Sequence, residues 1–248
     1  MDIKENIDGI LNRVKASAIR SGRKPEDITV IAVSKTVDSD RAKEAIEAGL
    51  ENLGENKVQE FINKYEQLSN LNIKWHMIGH LQKNKVKYII DKAELIHSVE
   101  NLDLAKEIDK RAKQHQIVSN VLIELNIGEE DSKFGLNAEN VFDFVKDMEQ
   151  FENIKILGIM TVAPYCEEPE DIRWLFKKMK EIFDSISKME LKNTNMKYLS
   201  MGMTNDFEVA IEEGSNIVRI GTAIFGARIY QEEKWKWEWW IKWRILLV

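Results

Sequence analysis

The sequence holds one cysteine, Cys166, among 248 residues. A single thiol excludes an internal disulfide and fits the reducing cytoplasm, which is the expected location. Basic charge is also short: 36 Lys and Arg against 42 Asp and Glu leave a net charge of -6. That balance argues against general affinity for nucleic acid. No grouping of His, Cys and carboxylates has metal-ligand spacing, so no metal is expected. The first stretch, MDIKENIDGILNRVKASAIR, lacks a long apolar core. It reads as an amphipathic helix, neither a signal peptide nor a membrane span. There is no internal repeat and no linker long enough to divide the chain, so residues 1–230 are expected to form one domain.

What is present is a regular alternation. Ile28-Thr29-Val30-Ile31-Ala32-Val33-Ser34-Lys35-Thr36 is an apolar run that ends in one lysine. Such a run predicts a parallel strand buried on both faces. Lys35 then has two readings. It is a solvated amine past the strand end, or an amine desolvated at the mouth of a sheet, its pKa lowered, ready to form a Schiff base with an aldehyde. Ahead of this strand, Ile7, Ile10, Leu11, Val14 and Ala18 form one helical stripe. Seven more strands are predicted at 52–56, 74–79, 95–99, 118–127, 154–162, 198–203 and 217–221. Helices are expected between them, one capped by Ser39, one running to about Tyr65, one carrying Lys83, Lys85 and Lys87, and others at 102–114, 138–148, 171–189, 206–213 and 222–225. Eight strands alternating with eight helical stretches predict an α/β fold, a single closed (β/α)8 TIM-type barrel with an extra N-terminal helix.

Chemistry in such barrels sits where strands end. The unusual residues collect there: Lys35, Asn56, His80, Ser200, Arg219 and Gly221. Alternation places Arg219 and Gly221 on one face. An arginine between Val218 and Ile220 needs an acceptor, and Glu124 is one candidate for a buried ion pair. Gly221-Thr222 opens a helical turn after the last strand, offering backbone N–H groups and a hydroxyl to a phosphate. Ser200, one strand away, would add a donor. A phosphate site beside an amine on the adjoining strand suits a phosphorylated aldehyde.

The stretches AVSKTV (32–37), GENKVQE (54–60), WHMIGHLQKNK (75–85), SKFGL (132–136), YLSMGMTNDFEVAIEEGS (198–215) and VRIGTAIFGAR (218–228) resemble the pyridoxal phosphate homeostasis proteins. The resemblance implies a fold type III barrel, related to that of alanine racemase, that carries pyridoxal 5'-phosphate (PLP). It implies no established turnover and a role in vitamin B6 and amino-acid homeostasis. By position it makes Lys35 the Schiff-base lysine and Ser200, Gly221 and Thr222 the phosphate site. Arg219 would face the pyridine nitrogen, and Asn56 would lie near the ring oxygen. Thr204 stands where that motif has serine, which keeps one hydroxyl. PLP is the expected partner, with apo PLP-dependent enzymes as recipients, and a monomer is expected.

Among the smaller signals, His76 inside an apolar strand reads as a satisfied core histidine. His80, just past that strand, is placed to reach the barrel mouth. Lys83, Lys85 and Lys87 read as a solvated face. The tail, residues 231–248, holds five of the seven tryptophans. A membrane interface or a non-native terminus explains that composition, and the second is preferred. Two classes of function compete: a PLP-binding carrier or regulator, and a PLP-dependent racemase or decarboxylase of the alanine racemase barrel type. Moving protons on both faces of a substrate needs two acid/base groups, and Lys35 supplies one. Such enzymes, as the resemblance implies, add a second β domain that brings the other, and residues 226–248 are too few for it. The non-enzymatic reading is therefore favoured.

Overall fold

Thr29–Val33 (β1) is mostly β-branched, and Val30 to Val33 are buried on both faces. It begins a sheet that closes on itself. The structure, a computed structural model, describes residues 2–128 and 134–226. Seven more strands follow: β2 (Asn52–Glu55), β3 (Lys74–Met77), β4 (Leu95–Val99), β5 (Ser119–Leu125), β6 (Ile154–Thr161), β7 (Thr194–Ser200) and β8 (Ile217–Ile220). Each runs parallel to its sequence neighbour, and β8 returns to β1 in the register Thr29↔Ile217 to Ala32↔Ile220. The barrel expected from the alternation is the barrel observed.

The helices are α1 (Ile3–Arg20), α2 (Ser39–Glu47), α3 (Val58–Gln67), α4 (Leu102–His115), α5 (Val141–Asp147), α6 (Arg173–Ser187), α7 (Phe207–Glu212) and α8 (Thr222–Phe225). The extra one, α1, buries Ile3, Ile7, Ile10, Val14 and Ala18, while Leu11 falls off the stripe and stays exposed. Asn6 Nδ2 donates to the Ile224 carbonyl at 2.9 Å, and Arg13 pairs with Glu208 at 2.7 Å, so α1 braces α8 and α7.

Three local expectations are corrected. Asp38, not Ser39, caps α2, its carboxylate accepting the Arg41 N–H at 2.8 Å. The lysine-bearing stretch Lys83–Tyr88 is a 3-10 helix, and the segment after residue 138 is a short α-helix flanked by 3-10 turns. The seventh strand begins and ends earlier than its apolar residues suggest. Gly202, at φ 94, turns the chain out of extended conformation.

The barrel interior is layered. Ile31, Leu95, Leu122, Leu157, Met160 and Ile217, with Tyr198, fill one apolar plug. Two residues further along the same strands the layer becomes polar: His97 after Leu95, Glu124 after Leu122, Ser200 after Tyr198 and Arg219 after Ile217, all buried. The larger apolar core lies outside the barrel, under the helices.

Candidate functional site

A cavity of about 830 Å³ opens at the C-terminal ends of the strands, within the range of small-ligand sites. It is lined by Lys35, Asn56, Arg219, Gly221 and Thr222, together with Arg41, Thr204 and Asp206.

Lys35 reaches this wall through a strained turn. Thr36 sits at φ 64, a region β-branched residues rarely occupy. Its N–H donates to Glu60 Oε2 at 2.7 Å, and the Val37 N–H donates to the Ser34 carbonyl at 3.0 Å. Beneath the turn lies a buried ion pair that the sequence reading missed. Lys64 Nζ lies 2.6 Å from Glu55 Oε1 and also donates to the Ser34 carbonyl, while Ser34 Oγ donates to the same carboxylate oxygen at 2.6 Å. Burial raises the Glu55 pKa, and Lys64 and Ser34 pull it back. The available signal was a lysine at helical spacing with Val58 and Phe61, on the face that α3 buries. Those three polar groups fix the end of β1, and so the starting point of Lys35.

Asn56 follows β2 directly. Its Oδ1 is buried and has no hydrogen-bond partner among the described residues, so a donor on a bound molecule would satisfy it. Gly221 follows β8. A Cβ there would stand 3.2 Å from the Val33 carbonyl oxygen, so glycine lets the strand end close against β1. Thr222 and Thr204 bring hydroxyls to the cavity, and Lys35, Arg41 and Arg219 bring cationic side chains. Arg41 is held by donating to the Phe225 carbonyl at 2.6 Å. An anion with several acceptor oxygens fits this set.

Arg219 is buried and donates from one terminal nitrogen to Ser200 Oγ and from the other to the Thr161 carbonyl, each at 2.7 Å. Burial lowers its pKa to about 10, opposed by Asp206 and Glu124, so it remains a cation at neutral pH. The ion pair for which Glu124 was one candidate is not formed among the described residues. Glu124 is pushed up to about 7 by burial and by Glu100, and its Oε2 has no hydrogen-bond partner among the described residues.

Ser200 is the site residue that the fold does not bring to the cavity. Its hydroxyl is fully buried, bonded to Arg219 and lying 3.2 Å from His97 Nδ1. The strand ends at Ser200 and turns at Gly202, so Thr204 is the residue of that motif whose hydroxyl meets the cavity. His80 pairs with Glu100 at 3.1 Å and stacks on Phe134, and it is not among the residues lining the cavity. His76 is the satisfied core histidine expected, bonded at both ring nitrogens. Among the described residues no group of His, Cys, Asp and Glu could hold a metal ion, and no helix is long and apolar enough to cross a membrane. Ser132 and Lys133, and the tryptophan-rich tail 231–248, lie outside the described residues.

Comparison with known proteins gives the family. The family described as "alanine racemase, N-terminal domain" matches residues 11–229. A pyridoxal phosphate homeostasis protein of Aquifex aeolicus is 45% identical over 230 residues, covering 93% of this chain and 100% of that protein. The protein of that name from Escherichia coli K12 is 34% identical, covering 94% of this chain and 99% of its own. PipY of Synechococcus elongatus PCC7942, solved with PLP bound, superposes with a TM-score of 0.78 at 28% identity, covering 90% of this chain and 100% of that one. The chain therefore belongs to the pyridoxal phosphate homeostasis protein family, built on the alanine racemase N-terminal domain.

Proposed function

We propose that this protein binds PLP at the C-terminal mouth of its barrel, holds it as a Schiff base on Lys35 without turnover, and so serves intracellular PLP and amino-acid homeostasis. The observation that carries this reading is one cavity that gathers Lys35, the orphaned Asn56 Oδ1, Arg219 and the Gly221-Thr222 strand end. Relatives matched over nearly their whole length bear the homeostasis name, and PipY was solved with PLP bound. PLP supplies an aldehyde that condenses with an amine, releasing water, and a phosphate that anchors it.

Each residue has a task. Lys35 gives the amine. Thr222 and Thr204 donate hydroxyl hydrogens to the phosphate where the Gly221 backbone allows close approach, and Arg41 adds charge. Asn56 would lie near the ring oxygen. Arg219 faces the pyridine nitrogen. A guanidinium only donates, so it disfavours a proton on that nitrogen and leaves the ring a weak sink for electrons from a bound amino acid. That weakness suits a carrier better than a racemase or decarboxylase. Residues 1–230 form the PLP-binding unit. Delivery of PLP to apo enzymes, a monomeric state and a cytoplasmic location belong to the same reading, the last supported by the single cysteine.

The test is spectroscopic. The purified protein given PLP should absorb in the visible, and borohydride followed by peptide mass mapping should place the pyridoxyl group on Lys35. Labelling at Lys57 or Lys85 instead refutes the assignment. A protein that binds phosphate but shows no visible band is a plain phosphate-binding barrel.

A further inference from the structure

Arg219 stands at one end of a buried chain of polar side chains that crosses the barrel. Ser200 Oγ lies 2.7 Å from the guanidinium and 3.2 Å from His97 Nδ1. His97 Nε2 lies 3.1 Å from His76 Nδ1, and His76 Nε2 lies 3.0 Å from Asn52 Oδ1. Ser200, His97, His76 and Arg219 are all buried. Asn52 and His76 border a second cavity, of about 390 Å³, at the N-terminal mouth of the barrel. The chain thus spans four strands, β7, β4, β3 and β2, and both ends of the barrel interior.

Hydrogen-bond chemistry fixes its direction. A guanidinium has donors and no acceptor, so Ser200 Oγ must accept from Arg219. A hydroxyl can accept twice, so the far end decides. The Asn52 amide oxygen only accepts, which puts the His76 proton on Nε2 and the His97 proton on Nε2 in turn. The serine proton then points at a bare His97 Nδ1. A neutral imidazole with bare Nδ1 carries its proton on Nε2, and that proton meets His76 Nδ1, which must be bare in turn. His76 Nε2–H finally donates to the amide oxygen of Asn52. Every link is one donor facing one acceptor. A second proton on His76 would set two N–H groups against each other, and one on His97 would set an N–H against the Ser200 hydroxyl hydrogen. Burial also drives His76 down to about 3 and His97 well below its ordinary value.

The geometry points to Asn52, His76, His97 and Ser200 as positioning residues that act as one directional chain, holding the Arg219 guanidinium in the orientation it presents to the cavity. With Ser200 on one terminal nitrogen and Thr161 on the other, the plane of the guanidinium is set from below. Neutral histidines also leave Arg219 as the cation of this buried layer. Ser200 therefore influences the ligand through Arg219 and without touching it.

The experiment starts with the full-chain apoprotein at pH 7, without cofactor. Nitrogen-15 NMR should show His97 and His76 both neutral, each protonated at Nε2 and bare at Nδ1. Arg219, assigned by its loss in Arg219→Lys, should give slowly exchanging guanidinium N–H signals. Ser200→Ala should abolish those signals and mix the His97 tautomers, and Ser200→Thr, which keeps the hydroxyl, should restore both. A charged imidazole, an Nδ1–H tautomer at either histidine, or unchanged Arg219 signals in Ser200→Ala would overturn the proposal. Should Ser200→Ala fail to fold, the wild-type tautomers still decide the matter. Only the last readout rests on the PLP reading: Ser200→Ala should shift the absorption maximum of bound PLP and raise its dissociation constant about tenfold, the scale of ordering one long side chain on binding. Wild-type protein with the expected tautomers but no PLP affinity would reject the cofactor reading and leave the chain standing.

Discussion

Replacing Lys64 with methionine tests whether the turn presenting Lys35 is held from behind. Methionine keeps most of the stem's bulk and removes the charge. Glu55 is then left fully buried with only the Ser34 hydroxyl on Oε1 and nothing on Oε2. A carboxylate so placed takes up a proton instead of staying charged. From its ordinary 4.5, protonation at pH 7 costs about 3.4 kcal/mol at 1.36 kcal/mol per unit. The lost bond to the Ser34 carbonyl adds about 1 kcal/mol. The expected loss is about 3–5 kcal/mol, the range for removing one partner of a buried pair. For a chain of this size that is a fall in melting temperature of about 6–20 °C. The sign with pH is fixed. A carboxyl whose folded pKa is raised contributes most below its unfolded value and loses that contribution as pH rises. The variant should therefore recover towards pH 5, where protonation costs only about 0.7 kcal/mol at most. Glu55→Gln combined with Lys64→Met should recover most of the loss at pH 7. Urea titrations of the wild type, the two single variants and the double variant at pH 7 and pH 5 provide the measurement. A loss below about 1 kcal/mol at pH 7, or one equal at both pH values, would refute the reasoning.

Three further outcomes follow from the site. Thr222→Ala and Thr204→Ala should each weaken PLP binding by about 1.5–3 kcal/mol, one charge-assisted hydrogen bond apiece; unchanged dissociation constants in both would remove the phosphate from that corner. Glu124, raised from 4.5 to about 7, should stabilise the fold below pH 4.5 and lose that contribution, about 3 kcal/mol in all, as pH rises through 7. Urea midpoints at pH 5 and pH 8 should converge in Glu124→Gln, and equal pH slopes in variant and wild type would contradict it. Arg219→Glu, where it still binds PLP, should exchange the Cα hydrogen of L-alanine for deuterium faster than the wild type. Racemase-like exchange by the wild type itself would overturn the non-enzymatic reading.

The order of the elements was written in the chain. Strand length, apolar runs and the polar stretches between them set a period of strand and helix that only a closed parallel barrel buries well. Lys35, Asn56, Arg219, Gly221 and Thr222 were legible for the same reason: each is out of character with the strand it ends, and strand ends in this fold share one rim. Pairing across the barrel was not legible. Ser200 reads as a mouth residue by its motif, yet the turn at Gly202 leaves it one layer down and hands the rim to Thr204. Arg219 needed an acceptor, and charge alone nominated Glu124. The structure chose Ser200 and the Thr161 carbonyl, because geometry, and not formal charge, decides which acceptor a fixed guanidinium reaches. His76 and His97 look like two unrelated core histidines 21 residues apart, and Glu55 and Lys64 look like ordinary surface charges. Their meaning comes from β3 lying beside β4 and from α3 packing over β2, since a strand's neighbours are fixed by barrel closure and a hydrogen bond forms only within about 3 Å.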